Sequence, residues 1–176
     1  MKNAIITIAL VLLACILVVC QLDINQMERQ GVMVKNTCDQ MADAAGISIN
    51  LEEYSKGYII FNYDTGVSLA KEVLMKSLGY SSTYKSENDY FKEDAKVHIY
   101  FFDQSGIAKY YFNGIWQRDF DFEFGQNISA YISGESFEIA KPCVYVKLDA
   151  GRPRIRLKFA LGQGRICKTS VYEYVY

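Results

Sequence analysis

Five cysteines and a single histidine are the residues from which nucleophilic or metal chemistry would have to be built. Cys15 and Cys20 fall inside an apolar run. Cys38, Cys143 and Cys167 are scattered, and no pair has the Cys-x-x-Cys spacing of zinc sites. His98 stands in an aromatic stretch, and general-base work needs a second group to orient the ring, so a packed side chain is expected. Asp119, Asp121 and Glu123 alternate along one segment. A strand would space them about 6.7 Å apart on one wet face, without the looped geometry that wraps calcium. Glycine-rich phosphate loops, nucleophile elbows and zincin motifs do not occur. The expectation is a non-enzyme with no catalytic residue, no cofactor and no metal.

Charge and composition narrow the partners. Nineteen Lys plus Arg stand against 20 Asp plus Glu, so no net field draws the chain onto nucleic acid. Fourteen Tyr and ten Phe with two Pro suit pleated, half-buried surfaces, and 176 residues hold one anchor and one domain with a single core.

Residues 4–22, AIITIALVLLACILVVCQL, carry no charge and as a helix span about 28 Å, the thickness of a bilayer's hydrocarbon core. A cleaved signal would have a shorter apolar region ending at small residues, whereas this run continues through Ile16, Leu17, Val18 and Val19. Residues 1–22 are therefore expected to be a retained transmembrane anchor. The N-terminus is placed in the cytoplasm and the domain outside, although the basic residues flanking the run give only a weak bias. Leu12-Leu13-Ala14-Cys15 is a loose match to a lipobox, which makes Cys15 a possible lipidation site, but small polar residues do not follow it.

Beyond the anchor, Ile24, Met27, Gly31, Val34, Cys38, Met41 and Ala45 recur at alternating spacings of three and four, a heptad seam over residues 23–46. Gly46 is placed as the stop. The seam has two readings, a stalk laid against its own domain or a surface for sister subunits.

Residues 47–176 predict an α+β domain. Gly57–Asn62 reads as a short strand, and Asp64 as the N-cap of a helix through Leu78 closed by Gly79. Tyr80–Ala95 is polar and acidic and reads as a loop. Strands follow at Lys96–Asp103, Ile107–Phe112 and Ile115–Phe124, with Asn113-Gly114 a strong hairpin signal. In the third, Trp116, Phe120, Phe122 and Phe124 alternate with polar residues, which predicts one buried face. After a weaker segment, Asn127–Ser133, come Ser136–Asp149, Arg152–Leu161 and Arg165–Tyr176, read as a meander of antiparallel hairpins. Val144, Val146, Leu148, Ile155, Leu157, Phe159 and Val171 would then share the core face. Tyr145, Arg152, Arg154, Arg156, Lys158, Tyr172 and Tyr174 would share the other, with the composition of a partner-binding surface. A meander sets Cys143 and Cys167 about 9 to 10 Å apart, too far for a disulfide.

A hydrophobic helix running into a polar one, then strand, helix and antiparallel sheet, resembles pilin-like proteins, and in particular the TadE-like pseudopilins of bacterial Tad-type pilus and secretion systems. The residues that carry the likeness are the anchor, the segment VKNTCDQMADAA at 34–45, and the strand-then-helix pattern of Gly57–Leu78. The resemblance implies a structural or assembly component whose partners are other pilin-like subunits and a membrane platform, with homo-oligomers possible. The run lacks the early Glu and the small residue before a processing site usual in pilin precursors, which points to a minor or assembly-associated component. The competing reading is an anchored or lipidated extracytoplasmic binding protein for an envelope ligand, using the loop Tyr80–Ala95 or the basic stripe. On the assembly reading, Glu at Val34 and Met41 would break assembly and leave the isolated domain folded.

Overall fold

A computed structural model describes residues 2–132, 136–155 and 164–174. The chain folds as a long first helix, two shorter helices and a five-stranded antiparallel sheet. Helix α1, Lys2–Gly46, is unbroken for 45 residues. It is long and apolar enough to cross a membrane.

Asn50 caps the five-residue α2, Leu51–Ser55, by accepting from Glu52 N and Glu53 N. Helix α3, Tyr63–Leu78, begins one step before the residue expected to cap it. Asn62, not Asp64, is the N-cap, its side chain accepting from Thr65 N at 3.4 Å. Gly79 closes α3 with φ +66, the left-handed conformation that costs glycine least.

The sheet runs in the order β3-β2-β1-β6-β7, with β1 Lys96–Phe102, β2 Ile107–Phe112, β3 Ile115–Asp121, β6 Cys143–Asp149 and β7 Cys167–Glu173. The hairpin β2–β3 turns at Asn113-Gly114, both at positive φ, as the dipeptide predicts. Alternation along β1 and β6 separates two cores. Val97, Ile99, Phe101, Val144, Val146 and Leu148 face α1 and α3. Tyr100, Phe102, Cys143 and Tyr145 face the other side, where Phe122, just past β3, covers them together with Ile128 and Ile139 from the segment of the short strands β4 Gln126–Asn127 and β5 Glu138–Ile139.

Several expectations are corrected. Gly57–Asn62 is no ladder strand: it is an extended segment with one bridge, Ile49 to Phe61, although Ile59 and Phe61 are buried as an apolar strand would be. Ser136–Asp149 is broken before Cys143 at Pro142, which has no N–H for a ladder. The meander is not formed: β6 pairs directly with β7, Val144 opposite Tyr172 and Asp149 opposite Cys167. Gly151, at φ +78, and Pro153 turn the chain away from the sheet edge, and residues 152–155 join no ladder, their one strand-type pairing among the described residues being the bridge from Pro153 to Phe91. Leu157 and Phe159 lie outside the described residues. Val171 pairs with Tyr145 and so faces away from the core expected for it.

A bulge between Tyr110 and Tyr111 explains the remaining mismatch. It sets Arg118 opposite Tyr110 but Trp116 opposite Tyr111, so an extra residue in β3 moves Trp116 to the face opposite Phe120. Trp116 is 55% exposed, and its Nε1 donates to Asp119 at 2.8 Å. Phe122 is buried, but β3 has already ended and Phe124 is exposed.

Candidate functional site: the helix face and the sheet face

The heptad seam divides where α1 meets the head. Val34, Cys38, Met41 and Ala45 are all fully buried against α3, β6 and β7. Gly31 and Met27 are half-buried and Ile24 is exposed. The upper seam is thus a core stripe of its own domain, which overturns the expectation that Glu at Val34 and Met41 leaves the domain folded: each would carry a charge into a dry site. Gly46 is the last residue of α1, and a Cβ there would overlap the ring of Tyr172, a reason for glycine that the stop signal did not contain. Cys38 Sγ lies 3.5 Å from Val146 O and from Lys168 O, and burial pushes its thiol up to about 12.

The opposite face of the same turns stays open. Val32 is 60% exposed beside Glu28, Arg29, Lys35 and Asn36. Below Asp23, most of the apolar run is exposed, with Val19 and Cys20 half-buried, and Cys15 lies exposed within it. These lower turns are the part of α1 that its own head leaves largely uncovered.

The Arg/Tyr face is not one face. Tyr145 is 1% exposed in the core opposite the helices, while Tyr172 and Tyr174 pack half-buried against the helix-side core. Arg152 is exposed and its Nε lies 3.3 Å from Glu93 Oε1, in a network with Arg165 and Asp149 at the end of the β6–β7 pair. Arg154 is exposed and donates from Nε to Phe91 O at 3.0 Å. Arg156 and Lys158 lie outside the described residues. Alternation identifies a shared face only while the backbone stays in a ladder, and residues 152–155 leave it.

The groups with catalytic potential have structural surroundings. His98 Nδ1 lies 2.8 Å from Tyr110 Oη, and its ring stacks on Tyr110 and tilts against Phe112; burial, then the charge of Lys147, lowers its pKa. Asp103, missed by sequence reasoning, is fully buried and accepts from Tyr63 Oη at 2.6 Å, Ser105 Oγ at 2.6 Å and Phe61 N at 3.4 Å. It ties the start of α3 to the β1–β2 turn. Tyr63 is half-buried; partial burial, then the neighbouring Asp103 carboxylate, raises its pKa, and Lys109 stands over the ring at 4.8 Å. Among the described residues no group of three His, Cys, Asp or Glu is placed to hold a metal ion.

Cys143 and Cys167 sit at opposite ends of the β6–β7 pair, each across from residue 173 or 149 and not from the other. Six residues of strand put about 20 Å between them. Neither is in a disulfide, which register prevents and not an intervening strand.

Comparison with family models, with curated proteins and with solved structures finds no match to this chain.

Proposed function

We propose that this chain is a membrane-anchored, pilin-like structural or assembly component of a cell-surface pilus or secretion apparatus. Residues 1–22 span the membrane with the N-terminus cytoplasmic and the head outside. The observation that carries this reading is α1: one continuous helix, built into the head at its upper end and largely open at its lower end. With the upper seam locked against α3 and the sheet, the head cannot swivel on its stem. Packing stems side by side therefore sets the spacing and angle of the heads. Membrane helices associate by close van der Waals contact, and at Gly31 open space lies where a side chain would stand. The partners on this reading are other pilin-like subunits, a membrane platform, or further copies of the chain.

Glutamate at both Ile24 and Val32 tests it, because both side chains are exposed and the head does not depend on them. The double variant should keep the melting temperature of the head and lose co-purifying partners from native membranes. Undiminished co-purification would rule out this face of the stem.

One observation favours the alternative, an anchored binding protein. A cleft of ≈ 780 Å³ along α1 is matched by another of ≈ 580 Å³ between α3 and the β2–β3 turn, lined by Asp64, Ser68, Lys71, Thr83, Tyr84 and Asn113. It recruits part of the loop Tyr80–Ala95, and Lys71 stands 5.7 Å from the centre of the Tyr84 ring. Under that reading Lys71→Glu abolishes retention of an envelope ligand while stem contacts persist.

A further inference from the structure

The head reaches down to the level at which α1 leaves the apolar run. Asp23 is 1% exposed and Val19 and Cys20 are half-buried, so protein already covers one side of the helix there. Gln26 Nε2 donates to Arg154 O at 3.2 Å, and Gln30 Nε2 to Tyr90 O at 3.4 Å. Gln26 is four residues past Leu22, so these loops stand about 6 Å above the end of the run. Headgroups extend about 5 to 8 Å beyond the hydrocarbon core.

At this level a cleft of ≈ 400 Å³ opens between α1 and Tyr90, lined by Leu22, Gln26, Arg29, Gln30 and Met33. Leu22 and Met33 give it apolar walls. Helical side chains lean toward the helix N-terminus, so Arg29 is directed back toward the membrane. Gln30 lines the cleft and is 3% exposed. Arg29, Lys92 and Arg154 are exposed and form no ion pair with a described residue. Glu28 and Asp89 lie close in sequence and do not line the cleft; Arg154 does not line it either, but Gln26, which does, holds its backbone carbonyl at the edge. Tyr90, 49% exposed, has the amphipathic ring that settles at membrane interfaces.

We infer that the collar of the head is a lipid site, in which the α1–Tyr90 cleft takes the headgroup of an anionic phospholipid and Arg29 and Arg154 hold its phosphate. The inference rests on the reading of residues 4–22 as a membrane span and is independent of any assembly role.

The test uses the full chain reconstituted into vesicles of phosphatidylcholine with or without phosphatidylglycerol. Trp116→Phe removes the only native Trp, and Tyr90→Trp places a reporter in the cleft. Flotation with the vesicles reports the anchor, and quenching of the reporter by brominated lipids reports the collar. Expected are a reporter quenched by lipid, and brominated phosphatidylglycerol quenching at lower mole fraction than brominated phosphatidylcholine. Arg29→Glu and Arg154→Glu, both at exposed positions, should each reduce that preference about fivefold or more, since a basic residue near an anionic surface contributes about 1 kcal/mol. A chain that floats with a reporter open to iodide and untouched by bromolipid overturns the collar site while leaving the anchor intact. Equal quenching by the two lipids, unmoved by either arginine variant, overturns the anionic headgroup. A chain that fails to float overturns the span on which the site depends.

Discussion

Residues 4–22 and 34–46 continue one helix without a break, yet they meet opposite surroundings. The lower segment is apolar around its whole circumference and mostly exposed, while the upper is apolar on one stripe and buried on that stripe alone. An all-round apolar helix that its own head leaves bare has the length and composition to cross a bilayer, and an amphipathic one needs a single partner face. The head supplies that face through α3, β6 and β7. Hydrophobicity alone does not say what a helix touches; its angular distribution does.

The contrast breaks most sharply at Met41. Met41→Glu puts a charge at a fully buried position and should remove about 4 kcal/mol or more, enough to leave the head without a cooperative unfolding transition by circular dichroism. A wild-type melting curve would show that the upper seam is not core. The matching change below is Leu13→Arg, which should cost about 3 kcal/mol of membrane insertion and move the chain out of the carbonate-washed pellet, with the head's melting temperature unaltered. Next comes Gly46→Ala. Overlap with Tyr172 should cost about 1 to 3 kcal/mol in denaturant titration, far above the small gain that alanine brings to an open helix site.

Thiols sharpen the comparison further. Cys38 and Cys143 are pushed up to about 12 by burial, from an ordinary value near 9. The folded head therefore holds their protons longer than the unfolded chain. The stability they contribute is complete below pH 9 and is lost as pH rises toward 12, so alkaline melts should fall through that window. In the native head a polar thiol reagent should modify exposed Cys167 first, and Cys38 only on unfolding. The smallest effect is expected at Val32→Glu, within about 0.5 kcal/mol of the parent head, because that position faces away from the core. A larger loss would mean that the outer face of α1 also supports the fold.

Much of this was readable from residues close together in the chain. The unbroken α1, the α3 helix with Gly79 at its end, the Asn113-Gly114 hairpin and the first two sheet strands follow from local periodicity and turn chemistry. The expected partner face on the last strands failed because alternation alone does not reveal that residues 152–155 leave the ladder at Gly151 and Pro153 and that β7 takes the place beside β6. Trp116 was misplaced by one bulge, which no alternation pattern marks. Asp103 gave no warning, because a buried carboxylate looks like a surface one until Tyr63 and Ser105 close around it.

Periodicity and composition settled the helix, its apolar lower run and the α+β character of the head, since these depend on neighbours three, four or two positions away. Packing between distant segments settled which stripe of α1 is core, which strand borders β6, and that Gln26 and Gln30 meet the loops carrying Arg154 and Tyr90. Such contacts join residues from 18 positions apart, between Asp149 and Cys167, to 128, between Gln26 and Arg154, and their energy appears only when the chain closes on itself.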